Sequence, residues 1–159
     1  MRLSVLALLV LAAVPACNLN STRSAIGTLQ VKADIDSLWT GYAHASDQRD
    51  AAAFSALFTE DARLAYSGAP TVRGREAIGT FLVSLYQKVD ATGVRVMPTE
   101  TRASGPLAVQ DGTFEESFIQ NEKAMTELGR YTLIAEMGSD HAWKIMSLTA
   151  IADSIVPAP

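Results

Sequence analysis

Cysteine, histidine and clustered positive charge are the scarce features of this chain. Its single cysteine, Cys17, cannot close an internal disulfide, so the fold has to be held by an apolar core. The two histidines, His44 and His141, lie far apart in sequence and outside any metal-ligand spacing, so no metal is expected. Thirteen basic residues against seventeen acidic ones give a formal net charge of −4. Binding to phosphates needs clustered Lys and Arg, so nucleic acid is not an expected partner. There is no phosphate-binding glycine loop, serine nucleophile elbow or cysteine nucleophile, and no cofactor is expected.

Long apolar runs are missing too. Leu3 to Val14 follows one basic residue, Arg2, and precedes a small residue, Ala16. That run is shorter than the ~20 residues a spanning helix needs and has the layout of a secretory signal, so residues 1–16 are read as an export segment. The "VPAC" that ends it resembles the bacterial lipobox, with Pro15 in place of the usual small residue. Plain cleavage after Ala16 would satisfy the small-residue rule almost as well. The lipobox resemblance implies lipidation of Cys17, a place on the periplasmic side of the bacterial envelope, and membrane attachment through the lipid alone. Removing 16 residues from 159, Arg2 among them, leaves 143 with a net charge of −5, one domain able to bury a core. Residues 17–29 are read as a tether, 30–153 as the domain and 154–159 as a tail.

Within the domain the periodicity changes once. Ile35, Leu38, Trp39 and Tyr42 fall at helical spacing and predict a first helix ending near Ser46. Asp50 is a fitting N-cap for a short second helix with Ala53, Phe54, Leu57 and Phe58 as its apolar stripe, before a strand begins at "ARLAY". "VRGREAIGTFLVSLYQK" predicts a third helix after Gly74. Beyond Ala91 the chain alternates like sheet, with turns at "ASGP", "NEK" and "GSDH" and a bulge at Gly112. Three helices followed by a curved antiparallel sheet is an α+β layout.

"LWTGYAHASDQRDAAAFSALFTEDARL", "VRGREAIGTFLVSL", "LAVQDGTFEE" and "GRYTLIAEMGSDHAWKIMSLTAI" stand in the order and spacing of the SnoaL-like family, the ketosteroid-isomerase-like or nuclear-transport-factor-two-like superfamily, which this chain resembles. The resemblance covers about residues 30–153. It implies a cone-shaped sheet wrapped around the helices (a cystatin-like roll), an interior pocket for small, mostly apolar molecules, and homodimers paired through the sheet. Glu60 and Asp61 recur in the family with or without activity. Their expected role is structural, bonding backbone amides at a helix end.

By that resemblance Tyr42 matches the isomerases' oxyanion-binding tyrosine, while the general base falls at Tyr66. A phenol with a pKa of about 10 is a poor substitute for a carboxylate. The isomerases' second donor, a protonated aspartate, falls near Arg130 or Tyr131, neither an acid. Alternation puts Phe114, Glu116 and Phe118 on one strand face. If that face lines the cone, desolvation raises the pKa of Glu116, which could act as general acid or base or pair with Arg130. The expected ligand contacts are Trp39, Tyr42, Tyr66, Phe81, Phe114, Glu116, Phe118 and Arg130. Met146, Leu148 and Ala150 of the last strand offer no titratable group, which favours binding over reaction. Three readings stay open: a small-molecule-binding domain without catalysis; an isomerase, cyclase or dehydratase using Tyr42 with Glu116 or Tyr66; and a homodimeric assembly module with a vestigial pocket.

Overall fold

The computed structural model describes residues 19–158, so the export segment and Cys17 lie outside it. Helix α1 (Leu19–Asp47) is followed by α2 (Ala51–Ser55), strand β1 (Phe58–Tyr66), the short β2 (Val72–Arg73) and α3 (Arg75–Tyr86). Four long strands complete the domain: β3 (Asp90–Ser104), β4 (Leu107–Gln120), β5 (Lys123–Met137) and β6 (Trp143–Pro157). They form one six-stranded sheet in the order β2-β1-β6-β5-β4-β3. The sheet curves around the helices, as the α+β reading requires. Its neighbours run antiparallel except β1 and β6, which pair in parallel.

Helical spacing and burial agree along α1, where Ile35, Leu38, Trp39, Tyr42 and Ala45 are all buried against the sheet. The helix starts at Leu19, inside the segment read as a tether. Asp50 caps α2 by accepting a 2.9 Å hydrogen bond from the Ala53 amide. That helix ends at Ser55, earlier than its apolar stripe suggests, because Phe58 already belongs to β1. The tail is also shorter than expected: β6 pairs with β5 as far as Pro157, opposite Met125.

The acidic pair Glu60–Asp61 sits where β1 bulges away from β6: Phe58 pairs with Ile145, but the next partners are Arg63 and Ser147. Backbone amides are not its partners here. Glu60 makes a 2.7 Å ion pair with Arg75, whose Nε also donates to the Phe58 carbonyl at 2.8 Å. Asp61 accepts from the Thr59 hydroxyl. Arg75, the first residue of α3, thereby fastens that helix to the bulge.

Gly112 does not bulge; the unpaired residue is Thr99 on β3, because Pro98 pairs with Gly112 and Glu100 with Asp111. A Cβ at Gly112 would lie 2.6 Å from the Met97 carbonyl and 2.8 Å from the Tyr131 ring. Gly129 is tighter still. Its Cβ would overlap the Ile151 carbonyl and lie 2.6 Å from Phe114. Gly129→Ala is therefore expected to cost about 1–3 kcal/mol through forced backbone shifts. Urea unfolding measures this, and an unchanged midpoint would refute the close approach of β5 and β6.

Candidate functional site

Three elements aim polar groups into the concave side of the sheet. Tyr42 comes from the buried face of α1. Tyr66 ends β1 in phase with the buried Ala62 and Leu64, and Glu116 comes from β4 between the buried Phe114 and Phe118. Strand alternation thus turns Glu116 inward. The hydroxyls of Tyr42 and Tyr66 lie 2.6 Å apart in a hydrogen bond. Around them pack Phe54, 4.3 Å from Tyr42 between ring centroids, and Trp39, edge-on at 5.2 Å.

Two small voids flank this group. One, about 30 Å³, is lined by Tyr42, Tyr66, Tyr86, Ser46, Phe54 and Glu116 among others. The other, about 20 Å³, brings Trp39, Phe114 and Tyr131 to Tyr42, Tyr66 and Glu116. Each has room for about one water. Larger depressions, of about 480 Å³ beside α1 and β3 and about 330 Å³ on the convex face, are open to solvent and contain none of the Tyr42, Tyr66 and Glu116 side chains.

Burial sets the electrostatics. Desolvation, with a smaller push from Glu127, raises the Glu116 carboxyl to about 7. Glu127 stands directly opposite Glu116 in the β4–β5 ladder, and burial raises its carboxyl as well. Desolvation also holds Tyr42 and Tyr66 well above the ordinary phenol value, each raised further by the nearby carboxyl of Glu116. Near neutral pH both phenols are hydrogen-bond donors, so Tyr66 cannot replace a carboxylate base. Glu116 is the one group of the three that changes charge there.

Trp39, Tyr42, Tyr66, Phe114 and Glu116 of the expected site are gathered in this way. Phe81 lies behind Tyr66, with ring centroids 6.3 Å apart, and borders neither void. Phe118 is buried on the Glu116 face but also lines neither. Arg130 is not in the site: it pairs with Thr113 in the ladder, faces the convex side and reaches Asp153 at 3.3 Å. A pairing of Glu116 with Arg130 is excluded by strand parity, since their positions point to opposite faces.

Sequence reasoning missed Tyr86, Glu127 and Gln110. Tyr86 continues the α3 stripe of Ile78 and Leu82, and its buried hydroxyl makes no hydrogen bond of good geometry, only a loose approach to the Ser46 side chain. Gln110 is 0 % exposed. Its Oε1 accepts from Trp39 Nε1 at 2.7 Å and from the Tyr131 hydroxyl at 2.9 Å, while its Nε2 donates to Thr101 at 3.0 Å. Because indole N–H can only donate, that network fixes which end of the amide faces Trp39. Among the described residues no group of three His, Cys, Asp or Glu is placed to hold a metal ion.

Several solved structures share this architecture. An NTF2-like protein with a cystatin-like fold from Novosphingobium aromaticivorans has a TM-score of 0.70 at 17% identity, covering 87% of this chain and 92% of its own. A ketosteroid isomerase-like protein from Erwinia carotovora atroseptica gives 0.68 at 17% identity over 77% and 95%. A type-3 hexachlorocyclohexane dehydrochlorinase from Novosphingobium barchaimii gives 0.69 at 18% identity over 85% and 94%. At such identities the likeness shows the fold. No curated protein matches. The model of the SnoaL-like domain matches residues 27–149, and the chain belongs to that family.

Proposed function

We propose that the chain is an exported, lipid-anchored domain whose concave interior binds a small amphipathic molecule at Tyr42, Tyr66 and Glu116. One observation carries this reading: the desolvated Glu116 carboxyl lines both small voids beside the hydrogen-bonded pair of buried phenols. A few convergent polar groups in an otherwise apolar, concave interior are the usual makings of a small-molecule site. The ligand's polar end takes the space of the two voids, and its apolar part replaces contacts now made among the aromatic side chains. Native mass spectrometry of protein from its own host tests this directly: a retained small molecule that Tyr42→Phe weakens supports the reading, and a bare chain in both proteins counts against it.

Export and anchoring rest on the residues before the domain. Cys17→Ala is expected to move the protein from the membrane fraction to the soluble one, and unchanged fractionation would refute lipidation. The convex face carries exposed Val109 and Ile151 among threonines and supports pairing with a second copy. Light scattering of Ile151→Lys would then report monomers.

A second reading is supported by the same carboxyl. With a value of about 7, Glu116 is poised as a general base at neutral pH. The Tyr42 and Tyr66 phenols could donate to an oxyanion that develops as Glu116 takes a proton from carbon. Turnover of a test ketone, lost in Glu116→Gln and reduced in Tyr42→Phe, would favour this enzyme; binding without turnover favours the first reading.

A further inference from the structure

We propose that the interior site takes a small organic cation, an alkylammonium group seated between the paired Glu116 and Glu127 side chains and the surrounding aromatic rings. The inference rests on the binding reading above and supplies its ligand class.

Glu116 and Glu127 are direct partners across β4 and β5, and both turn to the concave face. Like charges directly opposite each other destabilise a sheet, so an arrangement of this kind calls for a positive group. Among the described residues no basic side chain makes an ion pair with either carboxyl. Arg95 and Arg130 point to the convex side, where they pair with Glu115 and Asp153. Lys123 has the parity of Glu127 but lies four residues along β5, roughly 13 Å away at 3.3 Å per residue. Arg49 is committed to Asp90 at the surface.

Tyr86 is an independent sign of a missing ligand. The residue is 7 % exposed and its buried hydroxyl makes no hydrogen bond of good geometry, only a loose approach to Ser46, on the wall of the void that Glu116 also lines. A phenol oxygen can accept from an N–H or O–H carried by the bound molecule. The rings of Tyr42, Tyr66 and Phe54 also line that void, and an aromatic ring attracts a cation seated over its face. A neutral ligand would satisfy Tyr86 but leave two carboxyls opposed. A cation satisfies all three.

The groups facing Glu116 are Tyr42 from α1, Tyr66 from β1, Tyr86 from α3 and Glu127 from β5, with Asp50 and the Arg49–Asp90 pair beyond Tyr86. The phenols stay neutral through the physiological range. A cation prefers ionised carboxyls, so binding should strengthen as pH rises through 7.

Calorimetry with choline and its uncharged isostere 3,3-dimethyl-1-butanol tests the charge requirement at equal shape. At pH 8 choline is expected to bind at least tenfold more tightly than the isostere. The margin should shrink at pH 6 and vanish in Glu116→Gln, a variant whose folding is checked by thermal melting. Equal binding of the two overturns the cation while leaving an apolar pocket. Binding of neither overturns the cation too, and the retained-ligand measurement then decides the pocket separately. A choline preference that survives Glu116→Gln places the cation elsewhere and also overturns the proposal.

Discussion

Glu116→Gln is expected to stabilise the protein by about 2 kcal/mol at pH 8 and to change little at pH 4. The sign follows from the direction of the shift. In the unfolded chain the carboxyl titrates at its ordinary value of 4.5, and in the folded one at about 7. Between these values the folded state holds the extra proton, so stability is full below pH 4.5 and falls as pH rises toward 7, then levels off. Two and a half pH units would correspond to more than 3 kcal/mol. Partial solvent access to Glu116 lowers the expected figure to the one given. Glutamine keeps the shape without the charge and removes the loss. Urea unfolding of both proteins at pH 4, 6 and 8 should show curves that diverge only upward in pH. A variant less stable than the parent at pH 8 would mean that the ionised carboxyl has a stabilising partner.

Gln110→Ala is expected to be among the most damaging single changes in the core, costing about 3–5 kcal/mol. Truncation strands two donors, Trp39 Nε1 and the Tyr131 hydroxyl, each worth about 1–3 kcal/mol when buried and unpaired. It also opens a cavity among side chains that are themselves buried. Trp39 and Tyr131, whose rings meet edge-on at 4.7 Å, would lose the amide that orients both. Thr101→Ala removes only the peripheral bond to Nε2 and should cost under about 1 kcal/mol, being half-exposed. Near-equal losses in the two variants would show that the network does not act as described.

The fold was legible because its signals are local. Helical spacing in α1, the Asp50 cap, the Gly74 break and the alternation after Ala91 each find their place in the structure. The end of α2 was harder. Phe54, Leu57 and Phe58 suit a helical stripe, but Phe58 pairs with Ile145 of β6, a tertiary contact that no local pattern announces.

The site was legible to the same depth. Tyr42 and Glu116 follow from spacing and alternation, and Tyr66 from its place after the acidic pair. Their hydrogen bond and shared void depend on how α1 crosses the sheet. Arg130 illustrates the limit: on an adjacent strand it looks available to Glu116, yet the two-residue turn at Asn121–Glu122 fixes the ladder so that Glu116 meets Glu127. Both turn residues have positive φ, of 50° and 65°, as this tight hairpin requires. Gln110 carried no sequence signal, because a polar residue within an alternating strand reads as solvent-facing until its partners are known.

The central claim is that Glu116 is an inward, desolvated acid beside the tyrosine pair, and the most direct test is to watch that carboxyl titrate. Carbon-13 NMR of protein labelled at the glutamate side-chain carboxyls, with Glu116→Gln to assign the resonance, should give a midpoint near 7. A midpoint in the ordinary carboxylate range, near 4.5, would place Glu116 in solvent and contradict the site.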